Sequence, residues 1–311
     1  MGIFDKAVAG SLKFIPKPLV RQVARKYIAG EAVADAVEVT RKLNAAGCMV
    51  TMDRLGEDVE SREEADASAD GYIGLLETID EEGLDANVSI KPTHFGLALS
   101  RDLFEANVRR VVGRARELGN FVRLDMEDSP TTDDTLAVYR KLRGDGLNNT
   151  GVVLQARLYR TLADQKGLAD VSPNIRVCKG VYLEPGENAW QSYEDINRAF
   201  LALLEHALPR REYYIGIATH DDPIIEGAEK LIEAHGLTPD QYEFQMLLGV
   251  RPEVRKGLVA RGHRVRVYVP FGTAWYAYCI RRLKENPKFA GYITMDLLRD
   301  PTQLFGKAPE S

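Results

Sequence analysis

The sequence predicts a (β/α)8 barrel, and three observations carry this prediction. The 311 residues alternate eight short runs of strand-like composition with longer segments of helical pattern. Polar side chains collect at the carboxyl end of run after run, where barrels of this class place their active sites. Neither GxGxxG nor GxxxxGK[ST] occurs, although the alternative, an open doubly wound sheet, often carries such a phosphate loop after its first strand.

Eight runs predict the strands and the segments between them predict the helices. Segments such as SREEADASADGYIGLLETIDEEG and SYEDINRAFLALLEHALP repeat apolar residues every three or four positions, which is typical of helices that bury one face. We expect these helices to pack outside the barrel, the last of them formed by TAWYAYCIRRLKENP at residues 273–287. The predicted strands cover residues 48–56, 87–96, 121–129, 151–159, 175–184, 213–221, 242–249 and 265–272.

The first 30 residues predict a helical arm, and residues 31–311 predict the barrel. The arm is basic and amphipathic, and Pro16 and Pro18 divide it into two short helices. It has neither an 18-residue apolar run nor the apolar core of a signal peptide. We therefore expect it to pack against the barrel, with attachment to a membrane surface as the alternative.

Composition narrows the class of protein. The chain is 45% hydrophobic and 28% charged, which fits an ordinary globular protein with a large core. Its net charge of -5 gives no overall basic field, so we expect no nucleic-acid partner. The three cysteines are far apart and form no CxxC pair, which favours a reducing compartment and a cytoplasmic location.

Charged residues inside otherwise apolar strands are the strongest signal of a site, because a buried charge must be paired. An ion pair between Lys91 and Asp125, across neighbouring strands, would meet that requirement. The other polar residues at the strand ends are Arg54, Glu57, Thr93, Glu127, Asp128, Gln155, Arg157, Arg176, Lys179, Tyr182, Thr219, His220, Asp221, Glu243, Gln245 and Tyr268.

The helical stretch after the last strand carries two adjacent arginines, Arg281 and Arg282. They point about 100° apart around a helix, so one can reach into a cleft while the other supports it. Two guanidinium groups beside tyrosines suit a small carboxylate with an apolar body. The alternative is a solvated pair on an amphipathic helix.

A metal site is an alternative that the sequence disfavours. DMED, THD and EFQ offer carboxylates, but there is no HxH or HExxH, and neighbouring lysines and arginines compete for the carboxylates. We therefore expect no metal. We expect His220 to hydrogen-bond a cofactor or the backbone, and Cys178 to be a small buried hydrophobe.

Taken together and in order, several motifs resemble those of the proline dehydrogenase family, which also forms one domain of the bifunctional proline utilisation proteins. The resemblance covers residues 30 to 300 and implies a distorted (β/α)8 barrel with FAD at the carboxyl ends of the strands. It implies oxidation of L-proline to 1-pyrroline-5-carboxylate by hydride transfer from C5 to flavin N5. The motifs are SIKPT, RLDMED, VVLQA, IRVCKGVYLE, ATHD, EFQMLLG, VYVPFG and YCIRRLKEN.

The resemblance also implies roles for individual residues. Asp125 would hold Lys91, and Arg176 would lie near flavin N5; Glu57 would be a gate partner for Arg281. The substrate-binding residues would be Lys91, Tyr268, Tyr278, Arg281, Arg282 and Leu248. The cofactor-binding residues would be Met126, Gln155, Arg176, Lys179, Gly180, Val181, Tyr182, Thr219 and His220.

Two motifs depart from the family pattern. KGVYLE stands where KGAYWE is common, so Val181 crowds the flavin and Leu183 replaces an aromatic ring. THD stands where THN is common, which puts an extra carboxylate near the cofactor phosphates. Tyr268 is retained, and the ring expected near proline C4 favours proline over 4-hydroxyproline.

Partners follow from the resemblance alone. They are a quinone as electron acceptor, the inner face of a membrane through the arm, and 1-pyrroline-5-carboxylate dehydrogenase as consumer of the product. No dehydrogenase domain for that product is expected within these residues, so the chain is expected to be monofunctional. Two other functions stay open: a Schiff-base aldolase or isomerase using Lys91 or Lys179, and an inactive barrel acting as an interaction or membrane-surface module.

Overall fold

The sheet is a closed barrel of eight parallel strands. The computed structural model describes residues 26–56, 59–276 and 278. The strands follow one another around the barrel in chain order, and β1 closes on β8. All eight predicted strands and the (β/α)8 class are thereby confirmed. The strands are β1 (Met49–Arg54), β2 (Ala86–Ile90), β3 (Val122–Leu124), β4 (Thr150–Gln155), β5 (Asn174–Cys178), β6 (Tyr214–Ala218), β7 (Tyr242–Leu247) and β8 (Val265–Phe271).

Helices cover the outside of the barrel. The first one precedes β1 and packs against β1 and β8. The sequence also predicts an outer helix after β8, and most of that helix lies outside the described residues. The helices are α1 (Val33–Ala45), α2 (Arg62–Glu81), α3 (Arg101–Glu117), α4 (Thr132–Gly144), α5 (Thr161–Gly167), α6 (Tyr193–Ala207), α7 (Asp222–Ala234) and α8 (Pro252–Ala260).

Serine side chains determine where three of the helices begin. Ser61, Ser100 and Ser192 precede α2, α3 and α6, and each hydroxyl accepts the N–H of the third helical residue at 3.2, 3.4 and 3.0 Å. Each such cap contributes about 1 kcal/mol. Acidic residues in the first turns add a favourable interaction with the helix dipole. These local signals determine the residue at which each loop from strand to helix ends, and those loops form the carboxyl rim.

The outward faces of the strands are apolar and form the layer beneath the helices. Alternate residues of each strand, such as Val50 and Met52 of β1, belong to one buried hydrophobic cluster. Burying one such side chain contributes about 1.5–3 kcal/mol. The inward faces are different, because they carry many buried polar side chains: Thr51, Asp53, Asn87, Ser89, Arg123, Gln155, Arg176, Glu243, Gln245 and Arg266.

Residues 26–30 are the described part of the predicted arm, and they pack on the rim beside β8. The N–H of Ala29 donates to the carbonyl of Pro270 at 3.0 Å, and that of Gly272 donates to Gly30 at 2.9 Å. Tyr27 and Ile28 are buried. Within the described ranges, no helix combines the length and apolar character needed to cross a bilayer.

Candidate active site

Four charged side chains meet inside the barrel near the carboxyl ends of its strands. Lys91 directly follows β2, and its ammonium lies 3.3 Å from a carboxylate oxygen of Asp53 and 3.3 Å from one of Asp125. Arg176 of β5 approaches Asp125 from the opposite side, at 2.8 Å. The ion pair predicted between Lys91 and Asp125 is therefore present, and Asp53 adds a second carboxylate.

Asp125 is the hub of this cluster. One oxygen accepts hydrogen bonds from Arg176 at 2.8 Å and from the Ser89 hydroxyl at 2.6 Å, and the other accepts from Lys91 and Tyr268. Burial by itself would raise the pKa of Asp125, but Lys91 and Arg176 outweigh burial and hold that pKa below its usual range. The carboxylate is thus charged and rigidly held.

Tyr268 of β8 lies over the two cations. Its hydroxyl donates to Asp125 at 3.1 Å and accepts from Lys91 at 3.3 Å. Its ring centroid is 5.3 Å from the Arg176 guanidinium carbon and 6.0 Å from the Lys91 nitrogen. Burial, followed by the charge of Asp125, raises the pKa of Tyr268 well above its usual range, so the phenol stays a neutral donor.

Gln155, at the end of β4, presents a free acceptor beside a glycine. Its amide nitrogen donates to the carbonyls of Glu127 and Met126, at 2.5 and 3.2 Å. Its Oε1 is buried and has no hydrogen-bond partner among the described residues. A Cβ on Gly180 would lie 2.5 Å from that oxygen, so only glycine leaves the acceptor uncovered.

The loops after β5 and β6 bring a lysine and a histidine to the rim. Lys179 forms an ion pair with Asp221 and lies 4.1 Å from the Tyr193 ring centroid. His220 Nε2 accepts the N–H of Leu247 at 2.9 Å, which confirms the expected backbone bond and leaves the proton on Nδ1. The Thr219 hydroxyl accepts the N–H of Asp221 at 3.1 Å.

The other predicted site residues occupy the same end of the barrel. Met126 is buried, whereas Val181 is 37% exposed. Leu248 follows β7 and is partly buried, and Tyr182 accepts an Arg157 hydrogen bond at its carbonyl. Cys178 is partly buried and packs against the hydrophobic core cluster, so the expectation that it is a buried hydrophobe is confirmed only in part. It ends β5 with its side chain toward the barrel interior, where the space is shared with polar groups.

Tyr278 is buried at the rim, whereas three other predicted residues cannot be placed. Tyr278 packs with Ile28 and Leu55 in a small hydrophobic cluster. Glu57, Arg281 and Arg282 lie outside the described residues, and their roles stay predictions.

Two buried glutamates clamp the rim loops. Glu127, after β3, accepts the N–H and hydroxyl of Thr93 at 2.7 and 2.8 Å. Glu184, after β5, accepts the N–H and hydroxyl of Ser129 at 2.8 and 2.6 Å. These bonds tie the loops after β2, β3 and β5 together, so the groups that the loops carry are held in place.

The sequence-based reading missed Asp53 and Tyr72. Asp53 and Thr51 are two residues apart in β1, so their side chains lie on the same face of the strand. That face points into the barrel, because the alternate residues Val50 and Met52 face the helices. The alternation in the sequence TMDR was therefore enough to predict that Asp53 points into the barrel. The role of Tyr72 could not be predicted from the sequence, because its hydroxyl reaches Asp53 from α2, outside the barrel, at 3.1 Å.

A second ion pair lies deeper, below the first cluster. Arg266 Nε donates to Glu243 at 2.8 Å, and both side chains are buried. Gln245 joins the two levels, because it donates to Glu243 at 2.5 Å and accepts from Arg176. This pair supports the site from beneath.

Acidification is expected to weaken the fold through Glu243. Burial alone would raise its pKa, but Arg266 outweighs burial and lowers the pKa of Glu243 to about 2. Stability from this carboxylate is therefore fully present above the unfolded pKa of 4.5 and is lost as pH falls toward about 2, amounting to about 3 kcal/mol. Urea unfolding across this range measures it, and Glu243→Gln, although less stable at neutral pH, should lose about 3 kcal/mol less on acidification. Equal losses in both proteins would contradict this assignment.

Two of the cavities that the described residues line are at opposite ends of the barrel. The larger, about 330 Å³, is at the amino end and is lined by Asp85, Asn87 and Arg266 among others. The smaller, about 220 Å³, is at the carboxyl rim beside Arg54 and His94. We place the active site at the carboxyl end despite the size difference, because the paired charges converge there and barrels of this class react there.

The carboxylates of the site are engaged by cations rather than grouped for a metal. Among residues 26–56, 59–276 and 278, no group of three or more His, Cys, Asp or Glu side chains could hold a metal ion. Burial lowers the pKa of His94 to about 4, so this rim histidine is neutral at physiological pH. The cations at the centre of the described site are Lys91 and Arg176.

Similarity to known proteins agrees with this geometry. The family model described as proline dehydrogenase matches residues 36–293. A proline dehydrogenase of Deinococcus radiodurans is 38% identical over 309 residues, covering 96% of this chain and 98% of the relative. Proline dehydrogenase 1 of Bacillus subtilis strain 168 is 36% identical over 287 residues, covering 92% of this chain and 94% of the relative.

Solved structures share the fold. Proline utilization A from Bdellovibrio bacteriovorus, inactivated by N-propargylglycine, matches 93% of this chain with a TM-score of 0.80 at 23% identity. The protein from Corynebacterium freiburgense matches 99% with a TM-score of 0.76 at 21% identity. This chain spans 36% of each of those two longer chains, and at such identities the likeness concerns the fold alone. The family match and the two full-length relatives go further: the chain belongs to the proline dehydrogenase family of oxidoreductases.

Proposed function

We propose that the chain catalyses the FAD-dependent oxidation of L-proline to 1-pyrroline-5-carboxylate, the first step of proline catabolism. In this reaction a hydride would pass from proline C5 to flavin N5. The observation that carries the proposal is the buried cluster of Lys91, Asp125, Arg176 and Tyr268 at the carboxyl end of the barrel. It is a rigid, charged recognition site, which suits an enzyme whose cofactor performs the redox step.

Lys91 is suited to bind the substrate carboxylate. Burial alone would lower its pKa, but Asp53, Tyr268 and Asp125 hold that pKa well above its usual range. A permanently charged ammonium binds an anion well and is a poor nucleophile, so this state disfavours the Schiff-base alternative at Lys91. We assign Arg281 and Arg282 to the same carboxylate, with Glu57 as a gate partner for Arg281.

The aromatic residues are assigned to the pyrrolidine ring. Tyr268 presents a ring beside Lys91, and Tyr278 is buried at the rim. Leu248 adds an apolar neighbour next to Tyr268, to which it is hydrogen-bonded through the backbone at 3.0 Å. Aromatic walls fix the plane of a small ring, and a fixed plane sets the distance from C5 to its hydride acceptor.

The described residues fit a flavin. The buried Oε1 of Gln155 accepts no hydrogen bond from the part of the chain that the structure describes, and a flavin ring edge carries an N–H of the kind it requires. Gly180 leaves that oxygen uncovered. We assign Gln155 to the isoalloxazine, and Arg176 to the region of N5. The residues assigned to line the flavin and its phosphates are Met126, Lys179, Gly180, Val181, Tyr182, Thr219 and His220.

The cations have a second task besides binding. Proline must lose a proton from its amine before its C5 hydride can leave, and nearby positive charge lowers the pKa of an ammonium. Lys91 and Arg176, together with Arg281 and Arg282, would supply that charge. Bound FAD supplies the hydride acceptor.

The absorption spectrum of the purified protein tests the proposal directly. We expect flavin absorption bands at about 380 and 450 nm, and we expect L-proline to bleach them when oxygen is excluded. A colourless protein trapped by borohydride with a carbonyl substrate would favour the Schiff-base enzyme. A colourless protein with no proline-dependent dye reduction would favour an inactive barrel.

Arg282→Met is expected to raise the proline KM by about tenfold or more, with a smaller effect on flavin content. The guanidinium would contribute charge-assisted hydrogen bonds to the carboxylate, and Met keeps an unbranched aliphatic side chain but removes the charge. Steady-state kinetics with parallel flavin quantitation measure both effects. Unchanged kinetics would remove Arg282 from the carboxylate site.

A quinone is the proposed electron acceptor, and the N-terminal arm is the proposed attachment to the inner face of the membrane. A deletion that tests the arm should stop at residue 25, because residues 26–30 are hydrogen-bonded to the barrel rim. Unchanged liposome binding after that deletion would count against attachment. Consumption of the product by 1-pyrroline-5-carboxylate dehydrogenase is the proposed next reaction.

A further inference from the structure

Lys91 is held by two carboxylates rather than one. Its ammonium has three N–H donors. Asp53 and Asp125 take two of them at 3.3 Å each, and the third points toward the Tyr268 hydroxyl at 3.3 Å. An arriving carboxylate can replace the Tyr268 hydroxyl at this third donor and leave both ion pairs in place. Asp53 is 1% exposed, so its charge is deeper than that of Asp125.

Asp53 is itself fixed by a residue outside the barrel. Tyr72 of α2 is fully buried in the layer between helices and strands, with its ring edge-on to Phe95 at 5.4 Å. Its hydroxyl accepts the N–H of Arg54 at 3.1 Å and lies 3.1 Å from Asp53 Oδ1 and 3.2 Å from the Arg54 carbonyl. The single phenol proton goes to the ionised oxygen, because charge-assisted hydrogen bonds are the stronger ones.

We propose that Asp53, anchored by Tyr72, is a positioning residue that fixes Lys91 between two carboxylates with one N–H directed at the substrate. The proposal rests on the proposed function, in which Lys91 binds the proline carboxylate. Tyr72 donates one proton to Asp53, which keeps that carboxylate from closing further on Lys91. A residue of the helical layer thereby affects how tightly Lys91, inside the barrel, binds the substrate carboxylate.

Asp53 also keeps Lys91 charged. A buried ammonium with a single carboxylate partner would be easier to deprotonate, because burial opposes the charged form. The charged and titratable groups that bear on Lys91 are Asp53 on β1, Asp125 and Glu127 after β3, Tyr268 on β8, Tyr72 on α2, His94 after β2, and Arg176 on β5 through Asp125.

Binding of cyclopentanecarboxylate to the holoenzyme, measured by calorimetry as a function of pH, tests the role of Asp53. This probe has the carboxylate of proline but no amine to oxidise. We expect Asp53→Asn to move the alkaline limit of binding down by about one to three pH units. Asp53→Glu, which keeps the charge, should restore part of that range. An unchanged alkaline limit in a folded Asp53→Asn holoenzyme would overturn the proposal.

Tyr72→Phe provides a milder test if Asp53→Asn does not fold. Without the phenol proton, Asp53 draws Lys91 away from the ligand, and Kd for the probe at neutral pH should rise about three- to tenfold. Tyr139→Phe is the matched control, since Tyr139 of α4 is equally buried and its hydroxyl binds the backbone N–H of Asn174 at 3.1 Å. Equal effects of the two variants on Kd would count against the proposal.

The wild-type protein separates this inference from the proposed function. If L-proline reduces the wild-type flavin and the probe binds, only the variants decide the role of Asp53. If neither occurs, the proposed function fails and this inference fails with it.

Discussion

Lys91→Met is expected to lower kcat/KM for proline by more than about a hundredfold and to destabilise the fold by about 3–5 kcal/mol. Methionine keeps most of the aliphatic side chain but removes the ammonium, so Asp53 loses its ion pair with Lys91 and Asp125 keeps only its ion pair with Arg176. Removing one partner of a buried ion pair is costly because the remaining charge stays buried. Steady-state kinetics with a dye acceptor and urea unfolding measure the two effects.

The control for this variant is Lys141→Met. Lys141 of α4 also pairs with a carboxylate, Glu105, but its side chain is 56% exposed. Exposed ion pairs contribute about 0–1 kcal/mol, so both kinetics and stability should change little. If Lys91→Met behaves like this control, Lys91 has no part in substrate binding.

Gly180→Ala is expected to be the most damaging single-methyl change on the cofactor side, with flavin content falling at least about tenfold under dilute conditions. The backbone at Gly180 has φ of +92°, which costs an L-residue energy by itself. The new methyl would also lie 2.5 Å from Gln155 Oε1 and 2.8 Å from Arg157 Cδ. It would thus block the acceptor assigned to the flavin. Released flavin, measured by absorbance after gel filtration, reports the effect.

Gly186→Ala, in the same loop, is the matched control. A Cβ at Gly186 would have only Gln191 Cγ nearby, at 3.9 Å, which is ordinary contact. Flavin content should therefore stay near the wild-type value. Normal flavin content in Gly180→Ala would contradict the assignment of Gln155 and Gly180 to the cofactor.

Local pattern was sufficient to predict the barrel. The alternation of strand and helix signals, and the serines that cap α2, α3 and α6, are encoded over short distances. The pair formed by Lys91 and Asp125 could also be predicted, because buried charges require partners and parallel strands bring their carboxyl ends together.

Contacts between distant segments could not be predicted in this way. The bond from Tyr72 to Asp53 joins a helix to a strand across the barrel wall, and no spacing rule connects the two residues. The same holds for the pair formed by Glu243 and Arg266, whose depth in the barrel depends on the register of β7 against β8. The place of α1 over β1 and β8 likewise depends on how the barrel closes.

The sequence by itself determined the eight strands, the helices around them, and the residue types available at the carboxyl rim. Only the tertiary structure decided that Lys91 has Asp53 as a second carboxylate, that Glu243 pairs with Arg266, and that no described residue hydrogen-bonds Gln155 Oε1. The physical reason is the distance along the chain over which each interaction acts. Periodicity and capping act within one or two turns of chain, whereas pairing energies depend on distances that exist only once the barrel has closed.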